Sequence, residues 1–248
     1  MTSLASKEFY VHRREVTAWE LDADGAGFAR IYENIDNRRK TYNALLPDEF
    51  WCYACNTAPD CYSVGFDDEA NVPREIMGIP VYPMFRGGKT TYHGPGQLAI
   101  VAIIDARRLR YAAAGRLADH INESLYTSII DHAQDQFGRT LHYRTEDPGL
   151  YDNQGAKIAS TGFDVYQGFF IHHYSINYSV DLNKYLPIAV CGVRGRIMSN
   201  LVTEQPLNDA QTFEHAQDLL PRIWQRLYLD ADVQEYPTET LENPRPIR

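Results

Sequence analysis

The sequence predicts an α/β (α+β) fold in one domain spanning 1–248: a mixed sheet with helices packed mostly on one face. Three observations carry this. Leu98–Ile104 is seven apolar or small residues in a row, the mark of a strand covered on both faces. Leu117, Ile121, Leu125, Ile129 and His132 recur at intervals of about four, a helical period that Gly138 ends. From Leu141 to Val190, short apolar stretches alternate with turn residues at Asp147-Pro148-Gly149, Asp152-Asn153-Gln154-Gly155 and Gln167-Gly168. The 248 residues, 44% hydrophobic, would suffice for one large domain or two small ones. No internal repeat and no linker rich in Pro, Gly or Ser divides them, so a single domain is expected.

Taken in order, residues 1–27 are turn-rich around Asp22–Gly27 and offer a strand at most. Phe28, Ile31, Tyr32, Ile35, Tyr42 and Leu45 space out an amphipathic helix that Pro47-Asp48 breaks. Strands are expected at Phe50–Cys55 and Cys61–Phe66, a short helix at Val72–Met77, and a strand at Val81–Phe85 leading into a glycine pair. Short strands should fill Leu141–Val190, with a hairpin-like segment between the first two turns. Asp209–Tyr228 is a second amphipathic helix, presenting Phe213, Ala216, Leu219, Leu220, Ile223, Trp224 and Leu227 on one side. Pro221 should kink it or start it afresh. The tail around Asn243–Pro246 reads as loose.

Composition excludes several classes. A net charge of −9 argues against a general nucleic-acid binder. No apolar segment approaches the roughly 20 residues of a membrane span. The N-terminus lacks the apolar core of a secretory signal, and Glu8, Glu15 and Glu20 sit badly in a transit peptide, so a cytoplasmic location is expected. Cys52, Cys55 and Cys61 lie close together, but no second pair at metal-ligand spacing follows; they read as core cysteines, and no metal is expected.

Two stretches stand out for chemistry. Arg86-Gly87-Gly88-Lys89-Thr90-Thr91-Tyr92-His93-Gly94-Pro95-Gly96-Gln97 packs a cation, five special backbone positions and a histidine into twelve residues. Arg86 can bond an anion or a carbonyl, and His93 can carry a proton near neutral pH. In Cys191-Gly192-Val193-Arg194-Gly195-Arg196 a cysteine sits at a strand end or tight turn, with arginines three and five residues on. Such a cysteine is either a structural core residue or a thiol activated by nearby positive charge. Lys157, between a turn and a strand, could be merely solvated.

The run from Arg86 to Gln97 resembles the Arg-Gly-Gly…Thr-Tyr-His-Gly-Pro-Gly-Gln signature of the lipoyl(octanoyl) transferases, and its Gly-Pro-Gly-Gln ending favours them over the ATP-dependent lipoate ligases. Arg144, Asp147, Pro148, Gly149, Tyr151, Lys157, Ile158 and Gly162 match a second family element in order. His172, Asn177, Asp181-Leu182 and Cys191-Gly192 complete the series. The resemblance covers roughly Asp48 to Leu201. It implies a biotin/lipoate protein ligase-like fold. It also implies transfer of an octanoyl or lipoyl group from the phosphopantetheine of acyl carrier protein to a lysine of lipoyl domains, in 2-oxoacid dehydrogenases and the glycine cleavage H protein. Cys191 would be the nucleophile that carries the acyl group as a thioester. Lys157 would lower its pKa and shuttle protons. Arg86, Gly87, Gly88, Lys89, Thr90, Thr91, Tyr92 and His93, with Ser160, Thr161, Gly162, His172, His173, Tyr174 and Ser175, would line the acyl site. No cofactor beyond the carrier's own phosphopantetheine is implied, and no nucleic acid or membrane partner.

The chain departs from the family at three places. Asn56–Gly65 replaces a shorter stretch with a histidine, His173 and Tyr174 follow the strand histidine where a small residue is usual, and Ile197 stands where an acid is common. His173 and Tyr174 are therefore expected to reshape the acyl tunnel. Because the chain is acidic, docking of acidic partners needs a local basic patch, for which Arg86, Lys89, Arg107, Arg108, Arg110, Arg194 and Arg196 are candidates. The competing readings are an ATP-dependent lipoate or biotin ligase, a thioesterase or amidotransferase using the same acyl-enzyme, and a silent acyl-carrier binding protein.

Overall fold

The computed structural model describes residues 49–54, 60–68, 72–84, 86–105, 114–166, 169–203 and 206–229. The expected helix over Phe28–Leu45, the N-terminal segment, the tail, Cys55 and Arg107, Arg108 and Arg110 lie outside the described residues.

In chain order the strands are β1 (Glu49–Ala54), β2 (Cys61–Val64), β3 (Glu75–Ile76), β4 (Ile79–Pro83), β5 (Thr91–His93) and β6 (Gln97–Asp105). Helix α1 (Ala114–Phe137) follows, then β7 (His142–Arg144), β8 (Gly149–Tyr151), β9 (Lys157–Tyr166) and β10 (Phe169–Asn177). A 3-10 turn (Leu182–Tyr185) and helix α2 (Asp209–Leu229) complete the described chain. The strands form two sheets where the sequence suggested one. A six-stranded sheet runs β1-β6-β10-β9-β8-β7, and a four-stranded sheet runs β3-β4-β2-β5. The larger is antiparallel throughout. The smaller is mixed, since β2 and β4 run parallel.

The short helix expected at Val72–Met77 is instead the first half of a hairpin. Ile76 pairs with Ile79 across a two-residue loop whose members, Met77 and Gly78, have φ of 54° and 78°. Two positive φ angles in succession are what a type I′ turn requires, and a glycine at the second position makes it accessible. Between Leu141 and Val190 strands do dominate, but β9 and β10 have ten and nine residues, and the chain leaves the sheet at Asn177.

Both helices pack on one face of the six-stranded sheet. Leu98, Ile100, Ala102 and Ile104 of β6 meet Ile121, Leu125 and Ile129 of α1 and Leu219, Leu220, Ile223 and Leu227 of α2, all buried. Alternation along the strand puts these four residues on one side, leaving Gln97 and Ala99 to the other. Gly138, at φ 61°, ends α1 and returns its N–H to the Gln134 carbonyl at 3.0 Å. Helix α2 runs through Pro221 without a break. The helices are stitched by Arg222–Asp135 at 2.6 Å and by Arg226 with Asp131. Beneath them, His132 gives its Nδ1 proton to Asp218 at 2.9 Å and takes the Tyr178 hydroxyl on Nε2 at 2.9 Å.

A second, smaller core lies between the four-stranded sheet and the chain leaving β10. Tyr62, Tyr92 and Tyr185 pack edge to face there, with Val180, Ile188 and Val190 around them. This cluster supports the turn that carries Cys191.

The two kinds of contact predict different mutational effects. Leu125→Ala should lower unfolding free energy by about 2–5 kcal/mol, since it empties a filled core. Asp135→Asn, at a half-exposed pair, should lower it by less than about 1 kcal/mol. Urea denaturation at pH 7 measures both.

Candidate active site

Lys157 is the first residue of β9 and its side chain has no exposed surface. A buried ammonium must have its three donors met, or it is too costly to hold charged. Three acceptors converge on Nζ: the Pro148 carbonyl at 2.9 Å, Asp147 Oδ1 at 3.3 Å and Cys191 Sγ at 3.4 Å. The family resemblance already paired Lys157 with Cys191, and in the fold the two side chains are in contact. Cys191 sits in a tight turn with φ 52°, followed by Gly192 at φ 80°. The left-handed region is disfavoured by about 1–2 kcal/mol for a residue with a Cβ. The turn is held by Gly192 N–H to Ala189 O at 2.8 Å and Val193 N–H to Val190 O at 3.0 Å. Downstream, Lys157 donates its backbone N–H to Ile197 O and accepts from Ser199 N–H, both at 2.9 Å. The segment after the cysteine is thereby hooked onto the start of β9. Cys191 is partly exposed and its thiol is free.

Gly149 makes room for the lysine. A Cβ there would lie 2.4 Å from Lys157 Cε and 2.6 Å from the Ala159 carbonyl, so any side chain would displace the amine. Asp147 takes Lys157 on one carboxylate oxygen and Arg196 on the other. Burial would raise its pKa, but Tyr151, Lys157 and Arg196 outweigh that and hold it below the usual carboxylate range. Of the two arginines flagged beside the cysteine, Arg196 thus faces Asp147, while Arg194 is exposed.

The Arg86–Lys89 loop forms the opposite wall. Arg86 is buried, and its guanidinium donates to Ser63 O, Ser63 Oγ and Lys89 O at 2.9–3.1 Å and to Gly87 O at 3.1 Å. Its bonds go to carbonyls and one hydroxyl rather than to an open anion site. Burial lowers Arg86 to about 10, while Cys191 and Asp67 pull it back up. Gly87 N–H donates to Phe163 O at 3.0 Å, Gly88 N–H to Asp67 Oδ2 at 2.8 Å. Two glycines let this loop approach. A Cβ on Gly65 would lie 2.3 Å from Gly88 O, and one on Gly162 would lie 2.9 Å from Gly87 O. The Lys89 side chain passes over Gly192, within 2.9–3.2 Å of where a Cβ would stand.

His93 does not serve as a proton carrier near neutral pH. Its Nδ1 faces Gln97 Oε1 at 2.7 Å, an atom that only accepts, so Nδ1 carries the proton and Nε2 takes the Ser63 hydroxyl at 2.8 Å. Burial, with Arg86 adding to it and Gln97 opposing, pushes His93 down to about 4. It is a neutral link in a buried chain that continues from Gln97 to Asn177 and Tyr185. Sequence reasoning missed Ser63 in this role, and gave Gln97 and Asn177 only motif places. The single available signal was that Gln97 is a polar residue opening an apolar strand.

Of the other expected lining residues, β9 and β10 divide them between two faces. Ser160 opposes Ser175 and Gly162 opposes His173, on the side of the Arg86 loop. Thr161 opposes Tyr174 on the other side, where Tyr174 donates to Asn122 of α1 at 3.1 Å and receives His172 at 3.0 Å. The structure therefore does not bring Thr161, His172 and Tyr174 to the Cys191 side, because side chains alternate along a strand. Of the expected pair, His173 alone is placed to shape the site. Thr90 reaches Asp68 at 3.4 Å, Thr91 is buried in β5, and Tyr92 turns into the tyrosine cluster with its hydroxyl on Asp60. Among the described residues no group of three His, Cys, Asp or Glu could hold a metal ion, and no helix is long and apolar enough to cross a membrane.

Comparison with known proteins gives a consistent picture. The lipoyl protein ligase A/B catalytic domain matches residues 36–219. An octanoyltransferase of Saccharophagus degradans is 34% identical over 187 residues, covering 73% of this chain and 82% of the relative. One from Histophilus somni is 28% identical over 203 residues, covering 81% and 89%. Among solved structures, lipoate-protein ligase A bound with ATP superposes with a TM-score of 0.54 at 14% identity, covering 77% of each chain. The bipartite lipoate protein ligase of Thermoplasma acidophilum gives 0.54 at 14% identity, covering 84% and 81%. At such identities the structures establish the fold alone.

The buried histidines make stability depend on pH. Burial pushes His172 and His173 to about 3, as it pushes His93 to about 4, so all three fold in the neutral form. The unfolded chain takes up protons below about pH 6.5, so stability is complete above that value and falls as pH drops towards 4. Each histidine should contribute up to about 1.4 kcal/mol per pH unit in that window. Urea melts at pH 7 and pH 5 should show the loss, and His173→Gln should flatten the slope.

Proposed function

This chain belongs to the lipoyl protein ligase A/B catalytic domain family, and on that premise we propose that it is an acyltransferase moving an octanoyl group onto protein lysines through a thioester on Cys191. The observation that carries the reading is the contact of a buried lysine with a free, partly exposed thiol at 3.4 Å.

Cys191 attacks the carbonyl of an acyl thioester presented by acyl carrier protein. The new C–S bond forms as the donor's C–S bond breaks, and the departing thiolate leaves with a proton from Lys157. Thioester exchange is nearly isoenergetic, so loading needs no ATP and no cofactor of the enzyme's own. The acyl-enzyme divides one transfer between two proteins into two easier steps. An acceptor lysine on a lipoyl domain, of a 2-oxoacid dehydrogenase or a glycine cleavage H protein, then attacks the thioester. Lys157, now neutral, takes the proton released by that amine, and Cys191 departs as a thiolate beside the restored ammonium. The N–H groups of Gly87, Gly88 and Gly192 are already bonded to Phe163 O, Asp67 Oδ2 and Ala189 O, so one of these bonds must open before that donor can hold the tetrahedral oxyanion. The acyl chain would run along the Ser160, Gly162, His173 and Ser175 side of β9 and β10. A reducing compartment such as the cytoplasm suits a thiol that must stay free.

Intact mass after mixing with octanoyl acyl carrier protein tests the proposal. A gain of one octanoyl group is expected, absent in Cys191→Ser, with no requirement for ATP. A gain that persists in Cys191→Ser, or activity with free octanoate and ATP alone, would overturn it. Gly149→Ala should slow transfer by about a hundredfold, because a methyl at that position pushes the lysine off the sulfur. Stopped-flow transfer to a lipoyl domain measures it.

A further inference from the structure

One ion pair beside the dyad has no part in the chemistry above. Asp147 lies in the turn between β7 and β8 and shares its two carboxylate oxygens between cations: Oδ1 accepts from Lys157 Nζ at 3.3 Å and Oδ2 from Arg196. Arg196 is itself held on three sides. Its Nη1 also reaches the Tyr151 hydroxyl at 3.2 Å, and its Nε donates to Val190 O at 3.1 Å, one residue before the cysteine. The pair therefore joins the turn that carries the thiol to the turn that carries the amine's acceptors. The arginine side chain is only 10% exposed, so water screens the pair weakly.

We propose that Asp147 and Arg196 are positioning residues: Arg196 holds half of the Asp147 carboxylate, which keeps Lys157 on Cys191 Sγ and balances the charge at the sulfur. With both oxygens free, the carboxylate would compete with sulfur for the lysine. With no carboxylate, Lys157 would keep only the Pro148 carbonyl and the thiol. The charged and titratable groups facing the sulfur are Lys157 from β9, Arg86 and Lys89 from the glycine loop, Tyr151 from β8, and the Asp147–Arg196 pair. Removing one half of the pair leaves the other half's charge uncompensated beside the sulfur. The consequence for turnover rests on the reading of Cys191 as the nucleophile; the positional claim does not.

The test follows carbamidomethylation of Cys191 by iodoacetamide against pH, with peptide mapping to separate it from the other three cysteines. This needs no acyl donor, so it stands even if octanoyl transfer fails. Asp147→Asn removes a negative charge and should move the reaction's pH midpoint down by about half a unit, roughly threefold in rate at pH 7. Arg196→Gln removes a positive charge and should move it up by a similar amount. The double variant restores the charge balance and should return near the wild-type midpoint while transfer stays slow, which a purely structural staple would not produce. If Arg196→Gln does not fold, as a thermal melt would show, the comparison of Asp147→Asn with the charge-preserving Asp147→Glu decides: the first should shift and the second should not. Shifts in the same direction for both halves, or unchanged midpoints in folded variants, would overturn the proposal.

Discussion

A fully buried ammonium constrains this molecule more than any other group. Lys157 has no water to fall back on, so the fold must supply acceptors on three sides of one nitrogen. It does so with a backbone carbonyl, half a carboxylate and a sulfur. Each provider has its own requirement. The carbonyl comes from Pro148 and is followed by a residue that must lack a side chain. The carboxylate needs a second cation to stay divided. The sulfur needs a backbone turn that a cysteine adopts only under constraint. Satisfying one donor group thus organises two turns and the start of a ten-residue strand.

Arg86 repeats the solution with a different partner set. Its guanidinium is spent on carbonyls and one hydroxyl, so it acts as a fastener that shapes the glycine loop around itself. The loop then lies against β9 through Gly87 and Gly162, and against the end of β2 through Gly65. The two sheets meet at this contact. His93 and Gln97 extend the bonding inward to Asn177, so the glycine loop, the small sheet and the end of β10 form one hydrogen-bonded body.

Much of this was legible in the amino-acid order. The apolar run at β6 and the fourfold spacing of α1 are periodicities that a single sequence displays, and both elements stand where expected. Lys157 and Cys191 could be named because the residues around each match elements of the lipoyl(octanoyl) transferase family in order; alone, a lysine between a turn and a strand and a cysteine before a glycine pass for structural residues. The facing of Thr161, His172 and Tyr174 was not legible. Both sides of β10 and of the start of β9 are covered, and the exposed positions further along β9 are the apolar Phe163 and Val165, so polarity does not reveal the phase of either strand. The state of His93 was hidden for a related reason: its pKa is set first by burial, with Gln97 opposing and Arg86 reinforcing it, and burial does not show in its neighbours along the chain. The hairpin at Met77-Gly78 escaped because a methionine with positive φ runs against every local preference. The pairing of Asp147 with Arg196 joins two turns remote in sequence, and local pattern has no access to it.

The hook at 197–199 ties the fate of the two reactive groups together. Because the chain beyond the thiol is anchored on the backbone of the very residue that bears the amine, neither can drift alone. Thermal loosening at that anchor would spread sulfur and nitrogen apart in a single event, so loss of chemistry should precede loss of the helical core. The same tether narrows what evolution can adjust: a substitution that slides one partner along the sheet carries the other with it, leaving the walls around them as the freer place for divergence.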